Sequence, residues 1–199
     1  MAIVVEHERR KREILEKVID VFVSEGFENT TFQKIADHCR ITRTTLYIYF
    51  KNKRDIFNYS LKLLLTRAEE NIHIVCDDAS LSSIEKITKV LLGIFRHFER
   101  NRRLLSVILD YLLLISKNNI DPEQRIRRRT LKLRHILTSL IIEGIKSGEI
   151  KNVKIKTANE YLYSLIEAAI FRLVVLQKKT VGDLRKTAVF AAKQLAAVK

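Results

Sequence analysis

Apolar residues recur along this chain with the spacing of α-helices, and short polar breaks separate the segments. The first segment follows the basic run 9–12. Its apolar positions are Ile14, Leu15, Val18, Ile19, Phe22 and Val23. Gly26 is suited to end this helix, because glycine tolerates the left-handed backbone that often follows a last helical turn. The N-terminal residues, 1 to about 8, are predicted to form a loose arm.

Two shorter segments predict a pair of amphipathic helices joined by a tight turn. Thr30 or Thr31 can cap the first helix and Thr42 the second, because threonine hydroxyls accept hydrogen bonds from free N–H groups at a helix start. The residues that would pack the two helices together are Ile35, Ala36, Ile41 and Leu46. This layout predicts a helix-turn-helix, whose second helix enters the major groove of DNA.

The rest of the chain predicts a larger helical domain. Asn52 and Asp55 suit the start of a fourth helix that runs towards Cys76. Five further helices are predicted at about 82–98, 101–117, 122–147, 157–178 and 182–197. The second of these five has one narrow polar stripe, so we expect most of its circumference to be buried. The predicted fold class is all-α, with a three-helix head at 1–52 and a C-terminal helical domain at 53–199.

Composition supports a helical protein with a polyanionic partner. One proline and five glycines are few for an architecture of strands and turns. The net charge is +14, but residues 1–55 hold 11 Lys/Arg against 9 Asp/Glu, so most positive charge lies outside the predicted head. The two cysteines form no disulfide framework, and the apolar runs are too short for a signal peptide or a membrane span. We therefore expect a soluble cytoplasmic protein that is not associated with a membrane.

The second helix of the pair carries the side chains that we expect to read DNA. If Leu46 points inward, a step of 100° per residue places Thr44 and Ile48 on the opposite side. Arg43 is the candidate for two hydrogen bonds to guanine, and Ile48 for contact with a thymine methyl group. The alternative is that Ile48 packs inward and that Arg43 touches only phosphate.

Hydroxyl and basic groups around this helix are candidates for contact with phosphates. Thr45 and Tyr47 lie on its flanks. Hydroxyls suited to phosphate oxygens belong to Thr31, Thr42, Tyr47 and Tyr49. Lys53 lies at the start of the fourth helix, where backbone N–H groups also favour an anion. A solvated basic face is the alternative for this group. The basic run 9–12 could reach the minor groove or the DNA backbone, or could be a solvated helix start that nearby glutamates offset.

The pattern from about Ile14 to Leu64 resembles the tetracycline-repressor (TetR) family of bacterial transcription regulators. The matching residues are Phe22, Gly26, Thr31, Ile35, Ala36, Ile41, Thr42, Thr45, Leu46, Tyr47, Tyr49, Phe50, Asn52, Lys53 and Ile56. Arg40 departs from the pattern, because the turn between the two helices usually holds a glycine. A left-handed backbone there would cost an ordinary residue on the order of 1–2 kcal/mol.

The resemblance implies a homodimeric repressor of a near-palindromic operator in double-stranded DNA. A small, apolar effector would bind the C-terminal domain and favour a conformer in which the fourth helix and the head are displaced. The last two helices are rich in alanine, which suits close packing either in the core or in a four-helix dimer interface. We expect neither a cofactor nor catalysis, because no closed metal-ligand set, glycine-rich phosphate loop or nucleophile motif is present.

Candidate ligand-binding groups in the C-terminal domain are also typical of an ordinary core. They are Phe95, His97, Phe98, Tyr111, Tyr161, Tyr163 and Phe171. Four basic residues share one helix face, which favours a solvated surface but also suits an anionic ligand or partner. They are Arg125, Arg128, Arg129 and Lys132. Two other functions stay open: a DNA-binding factor without a ligand switch, and a helical enzyme or lipid-binding protein with a vestigial head.

Overall fold

The computed structural model describes residues 2–118 and 121–197, with the side chains at 2–5, 63–64, 67, 122–126 and 128–129 left undescribed. Its helices are α1 (Ala2–Asn29), α2 (Phe32–Cys39), α3 (Arg43–Tyr49), α4 (Lys53–Asp77), α5 (Ser83–Arg100), α6 (Arg102–Lys117), α7 (Pro122–Lys146), α8 (Ile155–Ile170) and α9 (Gly182–Gln194). An antiparallel bridge pairs Ile150 with Ala196. The predicted all-α fold is confirmed.

The N-terminal segment is helical, so the prediction of a loose arm is wrong for the described residues. Charged pairs one turn apart account for this helix start. Arg9 forms ion pairs with Glu6 and, at 2.7 Å, with Glu13. Such pairs stabilise an exposed helix by about 0.2–0.5 kcal/mol each. Gly26 has φ 75° and interrupts the regular helix of α1, at the position where the sequence predicted its end.

The chain packs into two compact units. The N-terminal unit consists of Met1–Arg67 together with Ser106–Tyr111, and the C-terminal unit of Ala68–Leu105 and Leu112–Lys199. Helices α4 and α6 therefore each contribute residues to both units. The functional boundary after residue 52 stays a prediction.

The core of the N-terminal unit is built around aromatic rings. Phe22, Phe27 and Phe57 pack with ring-centroid separations of 5.9, 5.0 and 5.1 Å. Tyr111 joins them from α6, with its ring centroid 4.6 Å from that of Phe27 and 5.0 Å from that of Phe57. The α6 segment that carries Tyr111 is thus part of the core that supports the helix-turn-helix.

The core of the C-terminal unit lies among α5, α7, α8 and α9. Its fully buried side chains include Ile87, Leu91, Phe95, Leu137, Ile141 and Leu162. Gly144 permits a close approach, because a Cβ at this position would lie 2.5 Å from the Cδ1 of Ile150 and 2.9 Å from the Cβ of Ser83. The alanines of α9 belong to this core, with Ala188, Ala191 and Ala192 fully buried.

Helix α6 buries less of its circumference than its sequence suggests. Its buried side chains form one stripe: Leu104, Val107, Tyr111 and Ile115. Leu113 is 55% exposed, so the expectation of burial on several sides is wrong for this part of the helix. Asp110 is exposed, as its place on the polar stripe suggests.

The predicted helix at 157–178 ends earlier in the structure. After α8 the chain forms a π-helical turn over Phe171–Val175, in which the Leu176 N–H donates to the carbonyl of Phe171. Gln177 then adopts a left-handed conformation with φ 51°. A wider turn followed by a left-handed residue breaks the α-helical hydrogen-bond pattern.

Candidate nucleic-acid interface

Helices α2 and α3 pack against each other through the residues that the sequence pattern singled out. Ile35, Ala36 and Leu46 are fully buried, and Ile41 is half-buried. Cys39 is also buried, and burial raises the pKa of its thiol, which keeps it protonated as a core residue. The predicted helix-turn-helix geometry is therefore present in the N-terminal unit.

The turn between α2 and α3 is held by Arg40 in a left-handed conformation, with φ 56° and ψ 47°. The Arg40 N–H donates to the carbonyl of Asp37 at 3.1 Å, and the Ile41 N–H donates to that of Ala36 at 3.0 Å. These two bonds form a Schellman motif, which normally has glycine at the left-handed position. The turn thus keeps the geometry that glycine favours, with an ordinary residue in its place.

Threonine side chains begin both helices of the motif. The Lys34 N–H donates to the Oγ1 of Thr31 at 3.2 Å, and the Thr45 N–H donates to that of Thr42 at 3.1 Å. Thr30 instead is buried and donates to the carbonyl of Gly26 at 2.6 Å, so Thr31 is the cap of α2. Because a hydroxyl both donates and accepts, the caps leave Thr31 able to donate to a phosphate oxygen.

The face of helix α3 opposite its buried Leu46 is exposed to solvent and carries both polar and apolar side chains. Arg43 and Thr44 are exposed, and Ile48 is 65% exposed. This exposure excludes the alternative that Ile48 packs inward. Thr45 is half-buried on the flank, with its Oγ1 2.8 Å from that of Thr42. A face of this composition can offer hydrogen bonds and a methyl contact to base edges in a major groove.

Two tyrosines on the flanks of α3 are supported by other rings. Tyr47 is 53% exposed and lies over Phe32, with ring centroids 4.7 Å apart. Tyr49 is half-buried and lies against His7 of α1, at a centroid separation of 4.6 Å. His7 was not expected at this site, because residues 1 to about 8 were predicted to form a loose arm.

Lys53 binds within the protein rather than extending into solvent. Its Nζ donates to the carbonyl of Glu28 at 2.8 Å and lies 4.7 Å from the ring centroid of Phe27. Burial lowers the pKa of Lys53, and the nearby Glu28 carboxylate partly offsets this shift. An ammonium has three donors, so a bond to phosphate would have to be made beside the bond to Glu28. Asn52 caps α4, because its Oδ1 accepts from the Asp55 N–H at 2.9 Å.

Several cations around α3 have no carboxylate partner among the described residues. Arg40, Arg43, Lys51 and Arg54 are exposed, and no ion pair to them is present in the part of the chain that is described. By contrast, the basic run at the start of α1 is partly neutralised, because Arg10 as well as Arg9 pairs with acids of its own helix. The recognition helix is thus flanked by exposed cations, which suits contact with phosphates.

The candidate ligand-binding residues are distributed over both units. Tyr111 belongs to the aromatic core of the N-terminal unit, and Phe95 is buried in the core of the C-terminal unit. His97 and Phe98 are half-buried neighbours, with ring centroids 6.5 Å apart. Phe171 is exposed. An open groove on α7 contains none of these residues, and its lining is Ser139, Ile142, Glu143, Lys146 and Ser147.

Two of the remaining candidates lie on α8. Tyr161 is exposed. Tyr163 is half-buried beneath Arg134, whose guanidinium carbon is 3.9 Å from the centre of its ring. Arg134 also binds Glu160, and this bond raises the pKa of the guanidinium. The face of Tyr163 is therefore already engaged within the C-terminal unit.

His97 differs from the other candidates in having an unused polar atom. Its Nε2 is buried and has no hydrogen-bond partner in the described structure. Burial, and secondly the charge of Arg100, lowers the pKa of His97, which favours the neutral imidazole. A neutral imidazole can donate or accept a hydrogen bond at Nε2.

The basic face predicted on α7 falls largely outside the described side chains. Those of Arg125, Arg128 and Arg129 are not described, and Lys132 binds Glu69. The described residues bring together no group of three His, Cys, Asp or Glu side chains that could hold a metal ion. Every helix in the described ranges falls short of the length and apolarity that a bilayer crossing requires.

A helix-turn-helix with an exposed recognition helix, flanked by exposed cations, defines a DNA-binding protein. Comparison with known proteins agrees. Residues 14–59 match the family described as bacterial regulatory proteins of the tetR family. The chain is 26% identical, over 175 residues, to the fatty acid metabolism regulator protein of Bacillus subtilis, and the match covers 84% of each chain.

Solved structures share the fold over nearly the whole chain. A TetR transcription regulator from Haloarcula marismortui has a TM-score of 0.83 at 22% identity, covering 96% of this chain and 100% of that one. The transcriptional regulator FadR from Bacillus subtilis, solved in complex with stearoyl-CoA, has a TM-score of 0.67 at 25% identity, covering 94% and 97%. Residues 14–59 therefore carry the DNA-binding domain described by the tetR family, and the whole chain has the fold of the TetR regulators compared above.

Proposed function

We propose that this regulator is a homodimeric repressor that binds a near-palindromic operator and is released from it by a long-chain acyl-CoA. The observation that carries the DNA-binding part is the exposed face of α3 opposite the buried Leu46. Two such helices related by a twofold axis would enter successive major grooves, so the operator would mirror the symmetry of the dimer.

Base and phosphate contacts are assigned by side-chain chemistry and exposure. Arg43 would donate two hydrogen bonds to guanine, and Thr44 and Ile48 would meet neighbouring base edges, Ile48 at a thymine methyl group. The phosphate contacts would come from side chains along the margins of the motif. They are Thr31, Thr42, Thr45, Tyr47, Tyr49 and Lys53. Lys53 would contribute through donors that its bond to Glu28 leaves available.

The dimer would form through α8, the π-helical turn and α9. This part of the chain exposes large apolar side chains that a monomer would leave in water. They are Tyr161, Phe171, Val175, Leu176 and Phe190. Exposed apolar residues of this size favour an interaction surface, and a second copy would bury them in a four-helix interface.

The acyl-CoA assignment rests on the Bacillus subtilis relatives, one named for fatty acid metabolism and one bound to stearoyl-CoA. In this chain the acyl group would lie in the C-terminal unit, where Phe95, Phe98 and Tyr163 are candidate apolar contacts, whereas the exposed Phe171 is assigned to the dimer surface instead. The unpartnered Nε2 of His97 could donate to a ligand carbonyl oxygen. The positive charge of the C-terminal part suits the phosphates of coenzyme A.

Release would follow from a preference of the ligand for one conformer. An effector can weaken DNA binding only by the difference between its affinities for the two conformers. Because α4 and α6 each belong to both units, a shift of either helix would move residues of the N-terminal unit. Tyr111 would be the point on α6 at which such a shift reaches Phe27 and Phe57.

The test is release of operator DNA by stearoyl-CoA, measured as fluorescence anisotropy of a labelled operator. Stearate and coenzyme A, each alone, are the matched controls for the two halves of the ligand. We expect release by stearoyl-CoA at concentrations where neither control acts. Binding of stearoyl-CoA without release would contradict the switch. Tight operator binding with no binding of stearoyl-CoA would favour a DNA-binding factor without this ligand.

A further inference from the structure

One face of the first turns of α1 lies against the C-terminal end of the recognition helix. The ring of His7 packs on Tyr49 with an interplanar angle of 33°, and one turn later Lys11 lies over Phe50 and Tyr59. The Nζ of Lys11 is 3.9 Å from the ring centroid of Tyr59. His7 and Lys11 are four residues apart, which places them on the same side of the helix.

Two of the other cations at this end of α1 are engaged in ion pairs. Arg9 pairs with Glu6 and Glu13, and Arg10 pairs with Glu13. Lys11 lies over Phe50, the residue that caps α3, whereas His7 packs on Tyr49 within α3 itself. The ionisable groups in contact with His7 are Glu8 of its own helix, with Oε1 3.8 Å from Nδ1, and Tyr49 of α3.

The chemistry of the pair suits an anion. The phenol of Tyr49 can donate to a phosphate oxygen, and a protonated imidazole can donate to the same phosphate. An imidazolium resting on a phenol ring is also favoured by the negative charge of the ring face. Tyr49 is the last residue of α3, so a phosphate that it contacts would lie within reach of the ring packed on it.

We propose that His7 is a DNA-contacting residue, which holds the ring of Tyr49 and, in its protonated form, shares a DNA phosphate with it. The start of α1 is then part of the DNA interface rather than a solvated helix end. Because phosphate favours the imidazolium, binding takes up a proton at His7. Affinity for DNA therefore rises as the pH falls from 8 to 6, the range in which histidine side chains change charge.

The test compares wild type with His7→Phe and His7→Ala on DNA recovered by selection from a random pool. His7→Phe keeps a ring against Tyr49 but removes the charge and the donor. At pH 6 we expect His7→Phe to weaken binding by about threefold to tenfold, and to reduce the slope of log affinity against log salt by about 2, or about 1 for each protomer of the dimer. At pH 8 His7→Phe should bind nearly as well as wild type, whereas His7→Ala should be weaker because Tyr49 loses its support.

Controls separate this role from general effects of charge and stability. His73→Phe, at an exposed histidine of α4 in the C-terminal unit, should leave the pH dependence unchanged. Equal losses for both His7 variants at pH 6 and pH 8, with an unchanged salt slope, would overturn the phosphate contact. Wild-type affinity of the folded His7→Ala protein at both pH values would overturn the whole proposal. His38 is an exposed histidine in the last turn of α2. A pH dependence that disappears in His38→Phe and persists in His7→Phe would also overturn the proposal.

Discussion

Arg40 shows how one residue can keep a turn geometry that its own side chain disfavours. Its left-handed backbone satisfies two carbonyls at the end of α2, and those hydrogen bonds fix the direction in which α3 departs. The Cβ of an ordinary residue is crowded in this conformation, whereas glycine has none. The left-handed backbone of Arg40 therefore lowers the stability of the protein locally, while the turn still sets the direction of the recognition helix.

Arg40→Gly should therefore stabilise the protein by about 1 kcal/mol, because it removes the Cβ from a left-handed position. The free energy of unfolding in urea measures this change. Gly26→Ala is the matched opposite, since it places a Cβ at φ 75° and should destabilise the protein. Equal or lower stability of Arg40→Gly would mean that the arginine side chain contributes more than its backbone costs.

Arg43→Ala should relax base preference at one position of each half-site. A two-hydrogen-bond contact with guanine discriminates against other bases by about 1–3 kcal/mol, whereas a phosphate contact does not depend on sequence. Binding to a set of operators with single base changes measures the preference. An equal loss of affinity for every operator would assign Arg43 to the phosphate backbone. Tyr47→Ala is the control variant, because we expect the loss of a phosphate contact to lower the affinity for every operator by the same factor.

At the scale of helices, the local spacing of apolar residues predicted the helix-turn-helix correctly. It did not predict contacts between residues that are distant in sequence. The spacing of Ile35, Ala36 and Leu46 and the threonine caps depend on neighbours in the sequence, so they could be read directly. The place of Tyr111 could not, because nothing local indicates that one segment of α6 joins the core of the N-terminal unit. His7 was missed for the same reason, since its partner Tyr49 is distant in sequence.

Tyr111→Ala should destabilise the N-terminal unit, because it removes a ring packed between Phe27 and Phe57. Truncation of a buried aromatic residue costs about 3–5 kcal/mol. Urea unfolding measures the loss, and Tyr111→Phe, which keeps the ring, should unfold close to wild type. If Tyr111→Ala is as stable as wild type, the contact of α6 with this aromatic core is not a structural support, and the route proposed for the ligand signal fails.

For the whole molecule, the exposed apolar residues of α8, the π-helical turn and α9 form the surface that we propose as the dimer interface. Phe190→Glu should give a monomer, because Phe190 is 59% exposed and a carboxylate there would be buried by the second copy without a partner. Sedimentation velocity measures the change. Ile74→Glu, at an exposed apolar position of α4, is the control and should stay dimeric.

A monomeric Phe190→Glu protein should also lose most operator affinity, since one head would contact only one half-site. A dimer that persists in this variant would place the interface elsewhere on the chain. A monomer that still binds the operator as tightly as wild type would contradict the need for two heads.

The most direct test of the account is selection of bound DNA from a random pool at near-physiological salt. We predict enrichment of a near-palindromic site with two half-sites about one helical turn, or a multiple of it, apart. Such a site would be read by two copies of α3 across a twofold axis. Binding that falls steeply with salt, with no sequence enriched, would mean that the net charge of +14 alone attracts DNA. That result would contradict the assignment of α3 as a reader of base sequence.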